Sequence, residues 1–236
     1  MTGLLVSVAN ISEAKIAIDA GVDILDMKNP AEGALGRLKL QSIAEIVALS
    51  HGKCMTSATI GDLPMHPELL ANKTLKVAET GVDIVKVGFF GSGQHENCAT
   101  AIGKVVKERT KLIAVMMADQ SPDISVIAKL KSAGFYGVML DTAVKDGKCL
   151  LDHMDINQIN DFCRLAERFK LVVGLAGSLN PSHIQELVNI GPDYLGFRGA
   201  VCHQASRYSD LELGRVSLIK GLLYKYNTHA QQFAIC

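Results

Sequence analysis

The chain has 236 residues, with 24 basic against 24 acidic side chains and 48% hydrophobic residues without a single tryptophan. This is the composition of an ordinary globular chain with room for one large domain, and its zero net charge leaves no electrostatic footprint for nucleic acid or an anionic membrane. No apolar run approaches the ~20 residues of a membrane helix, and the N-terminus lacks the basic region of a secretory signal. Six cysteines without a CxxC pair and seven histidines without HxH or HExxH spacing call for neither a disulfide framework nor a metal. A cytoplasmic protein with reduced thiols is expected.

Along the chain, Leu4–Val8 reads as a buried strand, and 12–20 as an amphipathic helix with Ser12 as its cap. Gly21 opens a second apolar run that ends at Asp26 and Lys28. A third run covers Cys54–Ile60. A helix over 66–80 leads to Gly81 and a fourth run through Lys86 and Gly88. Leu112–Met117, a helix over 123–133 and the run after Gly134 carry the pattern to Asp141. Leu171–Leu175 follows, then a helix over 181–190. That helix opens with an Asn180 cap and Pro181 in its first turn, and the last run extends from Gly191 to Arg198. The polar stretch from 226 to 236 reads as an appendage to a single domain spanning 1–236.

Gly21, Gly81, Gly134 and Gly191 recur at intervals of about 57 residues. Each follows a helix-like stretch and precedes a strand-like one. Four βαβα units give eight strands alternating with helices, so an α/β fold closed into a single (β/α)8 barrel is predicted. The competing doubly wound sheet would carry a glycine fingerprint after its first strand, and none is present.

Positions five and seven residues after each repeat glycine share one strand face. They place Asp26, Lys86, Met139 and Gly196 in one interior layer, with Lys28, Gly88, Asp141 and Arg198 nearer the C-terminal mouth. Barrel interiors are ordinarily filled by branched apolar residues. An ion-pair network that merely filled the mouth would lose several kcal/mol of solvation per ion, so charges there point to chemistry. A buried lysine beside another cation becomes a neutral amine near pH 7 and attacks carbonyls to form a Schiff base. Lys28 and Lys86 are the candidates, with Asp26 and Asp141 placed to move protons. Lys145 either joins them from the next loop or is an ordinary exposed lysine. Glycine-rich turns follow the seventh and eighth strands, where barrels frequently bind phosphate on backbone N–H groups. Gly177, Ser178, Gly199 and Ala200 are the candidates, with Arg198 as charge partner. Gly33–Gly36 and Gly91–Gly93 would shape the rim.

The run Asp26-Met-Lys28-Asn-Pro-Ala-Glu32-Gly-Ala-Leu-Gly36 resembles the (5-formylfuran-3-yl)methyl phosphate synthase family, also called 4-(hydroxymethyl)-2-furancarboxaldehyde-phosphate synthase. The resemblance continues through Val85-Lys86-Val-Gly-Phe-Phe90, Met139-Leu-Asp141-Thr-Ala-Val-Lys145-Asp-Gly147, Gly174–Leu179 and Gly196–Gly199. It implies a (β/α)8 lyase that condenses two molecules of glyceraldehyde 3-phosphate into a furan aldehyde phosphate for methanofuran or a related cofactor. Lys28 would then form the Schiff base and Lys86 transfer protons, assisted by Asp26, Asp141 and Lys145. Triose phosphates would be the only small-molecule partners, no cofactor would be needed, and a homo-oligomer is expected. Two other functions fit the same mouth. A phosphosugar isomerase would use Asp141 and Lys86 without a covalent lysine. A phosphometabolite sensor would bind without turnover, but binding one phosphate does not require paired carboxylates.

Overall fold

A computed structural model describes residues 1–91, 93–106 and 109–233, with side chains through 228. Eight strands alternate with helices: β1 (Gly3–Val8), β2 (Ile24–Met27), β3 (Met55–Thr59), β4 (Ile84–Phe89), β5 (Lys111–Met117), β6 (Gly137–Asp141), β7 (Val172–Leu175) and β8 (Tyr194–Phe197). Each strand pairs in parallel with the next, and β1 pairs with β8. The sheet is therefore a closed barrel, and the open doubly wound alternative is excluded.

The alternation of side chains divides the apolar residues into two sets. Val6, Val8, Leu25, Met27, Val85, Val87, Val138 and Leu140 face outward and pack under the helices. Leu5, Ile24, Ile84, Ile113, Val115 and Met139 fill the barrel floor. Two residues further along β1, β2, β4 and β6 stand Ser7, Asp26, Lys86 and Asp141, because a period of two repeats the same face. Register aligns Ser7 with Asp26, Asp26 with Ser57, and Thr59 with Lys86.

Two local expectations change. The first helix, α1 (Ile11–Asp19), is capped by Asn10 rather than Ser12. The extended Asn10 backbone lets its side chain accept from the Glu13 N–H, whereas Ser12 already lies in the first turn. Asn180 does cap the next-to-last helical segment by accepting from Ser182 N–H, through a 3-10 turn at Pro181–His183 that leads into Ile184–Ile190.

The last helix, Leu213–Phe233, runs through the polar stretch that begins at 226, so that stretch is not a separate appendage as far as Phe233. Its Asn227 is buried. Asn227 accepts from the Thr2 N–H at 2.8 Å and donates to the Thr2 carbonyl at 2.9 Å, fastening the start of β1. Residues 234–236, like Ser92 in the Gly91–Gly93 turn, lie outside the described residues.

Candidate active site

Lys28 follows β2 and its N–H still donates to Val8 O at 3.1 Å, so the ladder sets the lysine's direction. The motif after it folds into a tied loop. Asn29 N–H donates to Gly36 O at 2.8 Å, and Thr59 hydroxyl donates to the same carbonyl at 2.9 Å. Asp62 accepts from the N–H groups of Ala34 and Leu35 at 2.8 and 2.7 Å. A side chain at Gly36 would overlap the Asn29 carbonyl, which explains the glycine that ends the motif. Leu35 is thereby laid over Gly88, where a Cβ would collide with Leu35 and Phe90. Apolar side chains thus cover the outer end of β4 at Gly88, two residues beyond the inward-facing Lys86.

At the centre Asp26 is fully buried. One oxygen lies 2.6 Å from Lys86 Nζ and also accepts from Ser57 hydroxyl at 2.6 Å; the other accepts from Ser7 hydroxyl at 2.9 Å. Nearer the mouth, one oxygen of Asp141 accepts from its neighbour Thr142 N–H at 2.7 Å and from Lys145 Nζ at 2.8 Å. Lys145 also donates to Thr142 hydroxyl. The loop lysine therefore reaches the mouth. The other Asp141 oxygen stands 3.9 Å from Lys28 Nζ.

Lys28 differs from the other two lysines. Lys86 and Lys145 each hold a carboxylate at hydrogen-bond distance, whereas among the described residues Lys28 Nζ donates to no acceptor. Burial pushes its pKa down to about 8, against the pull of Asp141 and Asp26 and with help from the neighbouring lysines. Burial alone would raise the Asp26 pKa. The charges of Lys86 and Lys28, with the hydrogen bonds from Lys86 and Ser57, outweigh it and hold the carboxyl below the usual range. Asp141 is likewise lowered against burial, by Lys145 and Lys28 and by the Thr142 N–H. The result is an amine with accessible neutral form beside two carboxylates that stay ionised.

With a pKa of about 8, roughly one-tenth of Lys28 is neutral at pH 7 and half at pH 8. Acylation of Lys28 by an amine-selective reagent should therefore accelerate about tenfold between pH 6 and 7 and level off above 8. The test is the labelling rate of the Lys28 peptide across this range, read by mass spectrometry. A profile still rising about tenfold per pH unit from 8 to 9 would show that burial does not lower this amine.

The turns after β7 and β8 line the same cavity of about 380 Å³ as Asp26, Lys28, Lys86, Asp141 and Lys145. That volume suits a small ligand. Gly177 takes φ +107°, and a Cβ there would press on Thr142 and Leu150. Among the described residues, the N–H groups of Gly177, Ser178, Gly199 and Ala200 donate to no protein acceptor. Arg198 lines the same cavity, but its guanidinium is already engaged. Its guanidinium turns away toward α1, clasps the buried Glu13, and uses its remaining N–H groups on three backbone carbonyls. It is buried structure rather than a free cation in the mouth, because a full set of acceptors already surrounds it.

Sequence reasoning passed over Ser7, Ser57 and Thr142. The signal for the two serines was available: small hydroxyls interrupting apolar strands one position across from Asp26. Glu13 carried no such signal, since an acidic residue in a first helical turn is commonplace. Among the described residues, no group of three or more His, Cys, Asp or Glu side chains is placed to hold a metal. No helix there is long and apolar enough to cross a membrane.

A closed parallel barrel with ionisable side chains and undonated N–H groups gathered at one mouth has the architecture of a TIM-barrel enzyme. Solved structures agree on the fold. The chain superimposes on 3-hexulose-6-phosphate synthase from Salmonella typhimurium with a TM-score of 0.68 at 17% identity, covering 95% of this chain and 100% of that one. Phosphoribosyl anthranilate isomerase from Thermotoga maritima gives 0.67 at 14% identity, covering 97% and 100%.

The family model for 4-HFC-P synthase matches residues 4–220. The chain is 37% identical over 215 residues to (5-formylfuran-3-yl)methyl phosphate synthase of Methanococcus maripaludis, covering 86% of this chain and 91% of that protein. It is 38% identical over 213 residues to the protein of the same name from Archaeoglobus fulgidus, covering 84% and 90%. This chain belongs to the (5-formylfuran-3-yl)methyl phosphate synthase family.

Proposed function

We propose that the protein condenses two molecules of glyceraldehyde 3-phosphate into (5-formylfuran-3-yl)methyl phosphate through a Schiff base on Lys28. The observation that carries this reading is the Lys28 amine: buried, lowered to a pKa of about 8, and bonded to no acceptor among the described residues beside the ionised Asp141. Family membership supplies the product.

The neutral amine adds to a triose carbonyl, and the carbinolamine loses water to give an iminium. Asp141, 3.9 Å from the nitrogen, stabilises that cation. Its lowered pKa makes it a poor proton acceptor, so its role is electrostatic more than basic. The iminium draws electrons from the adjacent carbon; loss of its proton lets the next carbon expel its phosphate, and that carbon then bonds to the ketone carbon of the second triose, isomerised to dihydroxyacetone phosphate. Lys86, held by Asp26, moves protons during enolisation, and Lys145 serves the oxygens leaving on the β6 side. Ring closure through oxygen, release of the lysine, and loss of one phosphate and two waters overall balance two trioses against the furan product. The product serves a furan-bearing one-carbon carrier of the methanofuran type, made in the cytoplasm.

The test is incubation with glyceraldehyde 3-phosphate, with product mass and released phosphate followed together. One phosphate released for every two trioses consumed, with a furan chromophore, is expected. Accumulation of dihydroxyacetone phosphate without phosphate release would replace the synthase with a simple isomerase.

A further inference from the structure

The mouth offers N–H groups for a phosphate but, with Arg198 engaged, lacks the cation that was expected to meet it. The loop after β8 supplies another. It leaves at Cys202, returns at Leu211 through an antiparallel bridge, and turns at Gln204 and Ala205, both in the left-handed region at φ +51° and +56°. Arg207 follows this turn and lines the cavity beside Gly199 and Ala200. One Nη donates to Gly33 O at 2.8 Å, on the loop that follows Lys28. Its Nε is buried, and no group among the described residues accepts from it. An unsatisfied buried donor is costly until an acceptor meets it, and for a donor on a cation an anionic acceptor makes the strongest bond. The other arginine at this end of the cavity, Arg215, already gives its Nε to Glu212 at 2.6 Å.

We propose that Arg207 is the charge partner of a phosphoryl group seated on the N–H groups of Gly177, Ser178, Gly199 and Ala200. Arg198 is the positioning residue behind it: its Nε donates to the Arg207 carbonyl at 2.9 Å while Glu13 holds its far side. Arg207 also touches the loop after Lys28 through Gly33 O, but Asp62 and Thr59 already hold that loop, so the side chain is left to meet the anion. The assignment deepens the proposed synthase reading and rests on it for the substrate, but the anion site can be tested without turnover.

Calorimetry with inorganic phosphate, on the intact protein and on R207M, is the direct measurement. R207M should bind phosphate at least ~10-fold more weakly, as expected for loss of a charge-assisted hydrogen bond, and R207K should recover part of the loss. In parallel, borohydride trapping on Lys28 would be compared for glyceraldehyde 3-phosphate and unphosphorylated glyceraldehyde. R207M should slow trapping of the phosphorylated aldehyde only. Equal phosphate affinity in R207M and the parent overturns the proposal, and so does undetectable binding by the parent. Equal slowing of both aldehydes would show that Arg207 merely supports the Lys28 loop, also against the proposal. If no trapping occurs at all but R207M still loses phosphate binding, the Schiff-base reading fails and the anion site stands.

Discussion

Lys28→Met is expected to abolish borohydride-trapped adducts and to lower turnover by ~10³-fold or more, while making the protein more stable. Both effects come from the same burial. With no nitrogen at this position there is no carbonyl attack, and neither Lys86 nor Lys145 can substitute, because each already holds a carboxylate. The folded protein disfavours protonated Lys28, since its pKa falls from 10.5 to about 8. Below pH 8 the lysine is protonated in both folded and unfolded chains, so the penalty is present in full. It fades as pH rises from 8 to 10.5 and is gone above that. Methionine removes it, a gain on the order of 2 kcal/mol at pH 7. Asp141 keeps Lys145 and the Thr142 N–H, so no carboxylate is stranded. Urea unfolding at pH 7 and at pH 10 measures the difference, which should shrink at the higher pH. A Lys28→Met protein that still traps substrate, or that is less stable at pH 7, would defeat this account.

Asp26→Asn is expected to do the opposite to stability. The pair it breaks is fully buried at 2.6 Å, and removing one partner of such a pair costs about 3–5 kcal/mol. The amide retains the shape of the side chain and can still meet Ser7 and Ser57, so the loss isolates the charge. Turnover should fall by about 10²–10⁴-fold, the usual contribution of a proton-transfer group, because Lys86 loses the carboxylate that holds it. Lys86→Met in the same background should return much of the stability and none of the activity, since it removes the stranded ammonium. The double-mutant cycle, read by denaturant unfolding and by initial rates, separates the two terms. Additive stability losses would mean that Asp26 and Lys86 do not depend on each other.

The barrel and most of its mouth were legible because they follow from periodicity. A glycine before each even strand and a period of two within it are enough to bring Asp26, Lys28, Lys86 and Asp141 to one interior. Lys145 lay four residues past Asp141, and only the fold of the β6 loop decided between solvent and the mouth. Arg198 shows the limit of the same reasoning. Its place in the register was right, but β8 ends at Phe197 and the backbone turns at Arg198, with φ −130° and ψ −72°. Lys28 too lies one residue past its strand but keeps a ladder hydrogen bond, whereas the backbone at Arg198 has left the extended region, so alternation no longer governs its direction.

By itself the sequence determined the closed βαβα architecture, the strands that carry the lysines and carboxylates, and the turns that expose free N–H groups. These are local properties: repeat spacing, strand alternation and glycine conformation act over a few residues. Tertiary structure alone decided which ions pair. It assigned Asp26 to Lys86 and Asp141 to Lys145, leaving Lys28 without a bonded acceptor among the described residues. It also joined Arg198 to Glu13, 185 positions away, and brought Arg207 to the mouth. Ion pairing depends on distances of a few ångströms between segments remote in the chain, and burial multiplies the strength of whichever contacts form.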